Sequence, residues 1–221
     1  MGCESSRNVQ IALEPDSTDN QPTHRSFDSN HDAKKQGPIL TEIQIDIINS
    51  TWPLLAEDKV THGMCIFMDI FLVEPKIKAL FKLDSEADAD LIRNDGRIQG
   101  HVSKFMSHID NVCSNLDVVV SQHYDSVVIK DLLLLGAHHA TIPGFEFIYF
   151  GIFVKCLHLT WERVLREEYT EEVRDTWAAL FEFIISKIQE GYRLYYEDQQ
   201  PHDNHLHLHS HGSARLKDDS G

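Results

Sequence analysis

Basic residues are scarce in this chain. Lys and Arg total 20 against 35 Asp and Glu, for a formal charge of −15, and the cations form no stripe or cluster. That balance argues against nucleic-acid binding, which leans on Lys and Arg neutralising phosphates. Long apolar runs are missing too, so no segment reads as a membrane span. The N-terminus lacks a charged region followed by an apolar core, so a secretory signal is not expected. Cysteine occurs four times, at 3, 65, 113 and 156, with no CxxC pair. This usage suits a reducing compartment and mostly free thiols, with room for one disulfide. Cys65, Cys113 and Cys156 read most simply as small buried side chains, with a redox pair between two of them as the alternative.

What is present divides into a body and two polar ends. The chain has 221 residues, 42% of them hydrophobic, enough for one good-sized domain plus tails. Residues 1–38 are rich in Ser, Asp, Asn, Gln and Pro and read as a disordered tether, with a coil dimension on the order of 30–40 Å. Its start, Met1-Gly2-Cys3-Glu4-Ser5-Ser6, fits myristoylation of Gly2 once Met1 is removed, and the adjacent Cys3 can take a palmitoyl chain. One myristoyl chain holds a membrane only marginally, so a second signal is needed. Residues 4–30 offer only Arg7 and Arg25, too few for a polybasic patch, and an acidic protein is repelled by an anionic leaflet. Cys3 is therefore the expected second anchor, and the expected place is the cytoplasmic face of the plasma membrane, or else the cytoplasm. At the other end, residues 196–221 hold His202, His205, His207, His209 and His211. Alternating histidines can bind metal, but a disordered tail with adventitious affinity is the simpler reading.

The body, residues 39–195, reads as helix throughout. Thr41 is the expected N-cap of a helix over 41–55, with Ile43, Ile47 and Leu54 on one face and Pro53 closing its regular part. Residues 58–73 carry Met64, Phe67, Met68 and Phe71. Pro75 should open a short turn leading to Leu80-Phe81, and residues 84–95 form a loop or short helix. Residues 97–116 are the clearest periodic stretch, through Ile98, Val102, Phe105, Ile109, Val112 and Leu116. The valine run at 118–120 could pass for a strand, but a lone strand has no partner. Pro143-Gly144 must break a helix. Residues 145–166 are strongly aromatic, and residues 170–190 repeat at Val173, Trp177, Leu180, Ile184 and Ile188, ending at Gly191. The result is an all-α single domain of about seven or eight helices. His101 and His139 both lie on segments with apolar faces. Two such imidazoles can hold one iron between opposed helices, and imidazole suits iron and heme.

Taken in order, Trp52, Glu74-Pro75, Leu80-Phe81, His101, Leu135 with His139, and Trp177 resemble the marks of a globin. The segments around His62-Gly63 and His101 look most like neuroglobin and globin X, and the Met1-Gly2-Cys3 start resembles globin X, whose known members carry lipid anchors. The resemblance implies a three-over-three globin fold binding heme b (iron protoporphyrin IX). It makes His139 the proximal iron ligand; Leu135 and the spacing to Pro143 favour it over His138. It makes His101 the distal histidine, on the iron or beside its ligand. Phe81 would wedge against the heme, Phe67 and Phe105 would face the ligand, Lys104 would meet a propionate, and Phe145 and Phe150 would wall the proximal side. The aromatic stripe at 145–153 otherwise reads as general core.

A globin of this kind binds the diatomic gases O2, NO and CO. With both axial sites filled by histidine it suits redox chemistry, reduction of nitrite with protonated His101 assisting, or redox protection, fed by an electron donor the sequence does not name. The alternatives are a reversible oxygen carrier or store, a gas or redox sensor at the membrane, and a globin fold without its cofactor.

Overall fold

The computed structural model describes residues 39–121 and 125–199. Nine α-helices lie within them: α1 (Glu42–Ala56), α2 (Lys59–Val73), α3 (Ile77–Leu80), α4 (Ala89–Asn94), α5 (Gly96–Cys113), α6 (Leu116–Ser121), α7 (Val127–Ala140), α8 (Tyr149–Leu165) and α9 (Glu171–Asp198). A 3-10 turn at Arg166–Glu168 joins the last two. Among the described residues there is no strand; the valine run sits in α6.

Local chemistry sets the helix starts. Thr41 accepts from the Gln44 backbone N–H, and the Gln44 side chain accepts from the Thr41 N–H, a reciprocal capping box. Asp58, Asp88, Asp95, Ser126 and Thr170 accept first-turn N–H groups of α2, α4, α5, α7 and α9. Each supplies an acceptor to a donor the helix cannot satisfy, worth about 1 kcal/mol.

Three expectations need correction. The buried face of α1 is Ile48, Thr51, Trp52 and Leu55, whereas Ile43 is 64% and Leu54 42% exposed. Pro53 does not close α1. Its missing N–H orphans only the carbonyl of Asn49, an exposed residue that water can serve, and fully buried Leu55 holds the last turn. Gly191 does not end α9, which runs on to Asp198. A Cβ at Gly191 would fall 1.9 Å from the Leu133 carbonyl oxygen of α7, and one at Gly136 of α7 would fall 1.9 Å from the Ile188 carbonyl oxygen. These glycines exist so that two backbones can touch.

That crossing makes α7 and α9 the most extensively packed helix pair. A milder version joins α2 to α5, where a Cβ on Gly63 would meet Val102 Cγ1 at 2.7 Å. Between α1, α8 and α9 three tryptophans meet, with Trp52 and Trp161 each beside Trp177 (centroids 6.1 and 5.8 Å). The Trp177 indole donates to Thr51 Oγ1 at 3.1 Å, and the Trp52 indole to Asp110 Oδ1 of α5 at 2.9 Å. Such rings dominate core burial and add about 1 kcal/mol per pair beyond area. They fix the scaffold at one end of the molecule. At the other, α5 and α7 stand apart as two walls of a cavity.

Candidate functional site

A cavity of about 680 Å³ lies between those walls, and His101 and His139 both line it. It also collects Phe67, Phe81, Lys104, Phe105, Phe145 and Phe150, so every cavity-directed residue expected from the sequence meets there. The aromatic stripe proves to be cavity wall as well as core, since Phe145, Tyr149, Phe150 and Phe153 all face in.

His139 stands in the last turn of α7. Its Nδ1 lies 2.8 Å from the Leu135 carbonyl oxygen, which can only accept; Nδ1 therefore carries the proton and Nε2 keeps a free lone pair. Phe145 and Phe150 pack on its ring at 5.0 and 5.1 Å. Burial lowers the basicity of His139, partly offset by that carbonyl. His138, the rival for the same role, is exposed and reaches only the cavity margin.

His101 is held differently. Among the described residues no hydrogen bond reaches its ring. Instead the edges of Phe67 and Phe81 meet it at 5.1 Å each, nearly perpendicular. Burial first, then the neighbouring His139, Lys104, His108 and His138, push its pKa down to about 4. His101 is thus neutral near pH 7 and suited to donate a lone pair.

Phe81 owes its position to a turn the sequence does not advertise. Lys82 adopts φ 56°, a left-handed conformation that costs about 1–2 kcal/mol away from glycine. Its carbonyl accepts from Arg97 Nη1 at 3.2 Å, which ties the turn to the start of α5 and aims Phe81 at His101. Phe105 packs against Phe67 and Phe153 (6.2 and 4.9 Å) while lining the cavity.

Polar groups gather at the cavity margin: Lys104 and His108 from α5, Asp131 and His138 from α7. His108 went unnoticed in the sequence although a signal existed, because it follows His101 by two helical turns and shares its face. Cys113 and Cys156 are free buried thiols; burial pushes both up, Cys156 to about 12, so neither is a ready nucleophile. With Cys113 and Cys156 free, no two of Cys65, Cys113 and Cys156 form the redox pair held open above. Gly2, Cys3 and the histidines of the C-terminal stretch lie outside the described residues. Among the described residues no helix is long and apolar enough to cross a membrane.

Two imidazoles facing each other across an aromatic, mostly apolar space are suited to the axial positions of a planar metal chelate. A bare ion would want three or four converging ligands, and no such group occurs among the described residues. The globin family model matches residues 65–188, more than half of the chain. The chain belongs to the globin family. Its relatives include neuroglobin-1 of Oncorhynchus mykiss, 29% identical over 69% of this chain and 92% of the relative. An anaerobic nitrite reductase of Arabidopsis thaliana is 24% identical over 67% of this chain and 91% of its own length. Among solved structures, the hexacoordinated heme protein of an anhydrobiotic tardigrade superposes with a TM-score of 0.60 at 24% identity, over 70% of this chain and 96% of that one. The all-helical globin fold is thereby shown, and membership of the family implies heme and the binding of diatomic gases.

Proposed function

We propose that this globin holds heme b between His139 and His101, with both imidazoles on the iron at rest, and that it works in redox or nitrite and nitric oxide chemistry. The observation that carries the reading is the pair of neutral imidazoles opposed across one cavity. Heme, when bound, supplies a one-electron iron couple and a coordination site for O2, NO, CO or nitrite.

The chain's own residues do the rest. Leu135 fixes the His139 tautomer and leaves Nε2 free, so that His139 would hold the heme iron through it. Phe81 and Phe67 hold His101 by ring contacts alone, so His101 can leave without breaking a hydrogen bond. Every external ligand competes with His101, and its affinity falls by the fraction of open protein. That arrangement serves electron transfer and small nitrogen species better than oxygen delivery. The similarity to an Arabidopsis nitrite reductase supports nitrite as a substrate. Nitrite reduction needs protons, and with His101 neutral they enter from solvent past Lys104, His108 and His138. Lys104 and these margin histidines would meet the heme carboxylates. The acyl groups read at Gly2 and Cys3 would hold the domain at a membrane; replacing either should move the protein off membranes without altering its spectrum.

Stopped-flow binding of CO to the reduced protein tests the reading. The wild type should bind at a rate that saturates with CO, limited by departure of His101, whereas His101→Leu should bind with no such limit. A wild type as fast as the variant would refute it.

A further inference from the structure

The site as described uses the aromatic rings only as wall, yet on the proximal side they continue past the cavity to the surface. His139 lies 5.0 Å from Phe145. Phe145 lies 6.1 Å from Tyr192, and Tyr192 lies 5.3 Å from Tyr196. Phe147 braces Tyr192 from the side at 5.8 Å. Tyr192 and Tyr196 stand one turn apart on α9, beside the Gly191 crossing that locks this helix to α7. The chain of rings ends in the open, because Tyr196 is 48% exposed.

The hydroxyl groups are arranged as well as the rings. Tyr196 donates to the carbonyl oxygen of Ala140, the residue after His139, at 3.2 Å. The Tyr192 ring packs against Tyr196 at 5.3 Å, and the Tyr196 phenol beside it raises the Tyr192 pKa. A phenol gives up an electron readily only if its proton can leave with it, and the half-exposed Tyr196 can release its proton to solvent. Phe145 is too hard to oxidise to hold a charge; it fills the gap across which an electron passes.

We propose that Tyr192 and Tyr196 form an electron relay between the proximal side of the heme and solvent. It carries the oxidising equivalents that a hydroperoxide leaves in the loaded protein out to Tyr196. The proposal rests on the reading that His139 holds heme. The chemistry balances without another cofactor. Hydrogen peroxide takes up two electrons and two protons, its O–O bond breaks, and two waters form. Each electron and proton comes from one Tyr196, leaving a phenoxyl radical. A small phenolic or enediol reductant returns one hydrogen atom to each radical and restores the phenol. Without a reductant, radicals on two protein copies couple; two ring C–H bonds are lost and one C–C bond forms. The sum is two tyrosines plus hydrogen peroxide giving one dityrosine and two waters.

A second aromatic path starts from an earlier part of the same helix, α9. There Phe181 lines the cavity and stacks on Trp177, which meets Trp52. Trp52 is only 8% exposed, so a reductant in solution cannot easily reach its end. The tyrosine path is favoured because it terminates where a donor can dock.

The test uses the full heme-loaded chain, as wild type, Tyr192→Phe and Tyr196→Phe, treated with hydrogen peroxide in the absence of reductant. The readouts are the Soret band before treatment, dityrosine fluorescence, and mass-spectrometric mapping of oxidised residues. Both substitutions keep the ring and its packing, and neither side chain lines the cavity, so the initial Soret band should match the wild type. Dityrosine at Tyr196 is expected in the wild type and absent in Tyr196→Phe. With Tyr192→Phe, oxidation at Tyr196 should fall several-fold. Equal oxidation of Tyr196 in Tyr192→Phe would overturn the relay, as would oxidation confined to Trp52 and Trp177. A chain with no Soret band would instead sink the site reading itself, and the relay with it.

Discussion

The two walls of the cavity hold their histidines by opposite means. His139 is bound to a carbonyl of its own helix, and that helix is pressed against α9 backbone to backbone through Gly136 and Gly191. His101 has no such hydrogen bond among the described residues and meets the rings of Phe67 and Phe81, on a helix tied to α1 through Trp52 and Asp110. With heme bound as proposed, His139 would be the ligand that stays and His101 the one that exchanges. Directional hydrogen bonds and backbone contact fix a position, whereas edge contacts between rings exclude water and leave rotation possible.

The sharpest way to break this contrast is to remove each imidazole in turn. His139→Ala should lose most of its heme on passage through a desalting column, while His101→Ala should keep it; equal retention would erase the distinction between the walls. Next in size is Gly191→Val. Its side chain has no room against Leu133, so α9 must move off α7 at a cost of about 3 kcal/mol or more. A melting temperature lower by roughly 6–12 °C is expected, and an unchanged one would mean the helices are not locked there.

The pH response separates the walls more finely. His101 titrates at about 4 in the folded chain and at roughly 6.5 when unfolded. The unfolded state therefore binds more protons between those values. This contribution to the stability of the heme-free protein is fully present above pH 6.5 and is lost as pH falls toward 4. Denaturant titrations of the heme-free protein should show that loss, and His101→Leu should flatten it. The smallest effect should come from Trp52→Phe, which removes the bond to Asp110 and costs about 1 kcal/mol. Because that bond steadies only the distal helix, His101 should leave the iron faster while heme retention is unchanged.

Much of this was legible in the sequence, and the exceptions share a cause. The helices, the cap at Thr41, and the meeting of Phe67, Phe81, His101, Phe105 and His139 follow from periodicity and from the resemblance the residues carry. What failed to show depends on the neighbouring helix. The inward face of α1 is chosen by Trp177 and Thr51 at its back, not by the isoleucines that lead the segment. Gly191 carries the composition of a helix end, but its meaning lies in Leu133 of another helix. The left-handed turn at Lys82 has no glycine to announce it. The Tyr192–Tyr196 pair looks like ordinary helix surface until α7 supplies Ala140 and Phe145.

The most direct measurement is the visible absorption spectrum of the dithionite-reduced protein, with His101→Leu as control. Sharp, split α and β bands in the wild type that vanish in the variant are predicted, and they would place both imidazoles on the iron. A single broad five-coordinate band in the wild type would contradict the account, leaving His101 as a neighbour of the bound ligand and favouring a reversible oxygen carrier.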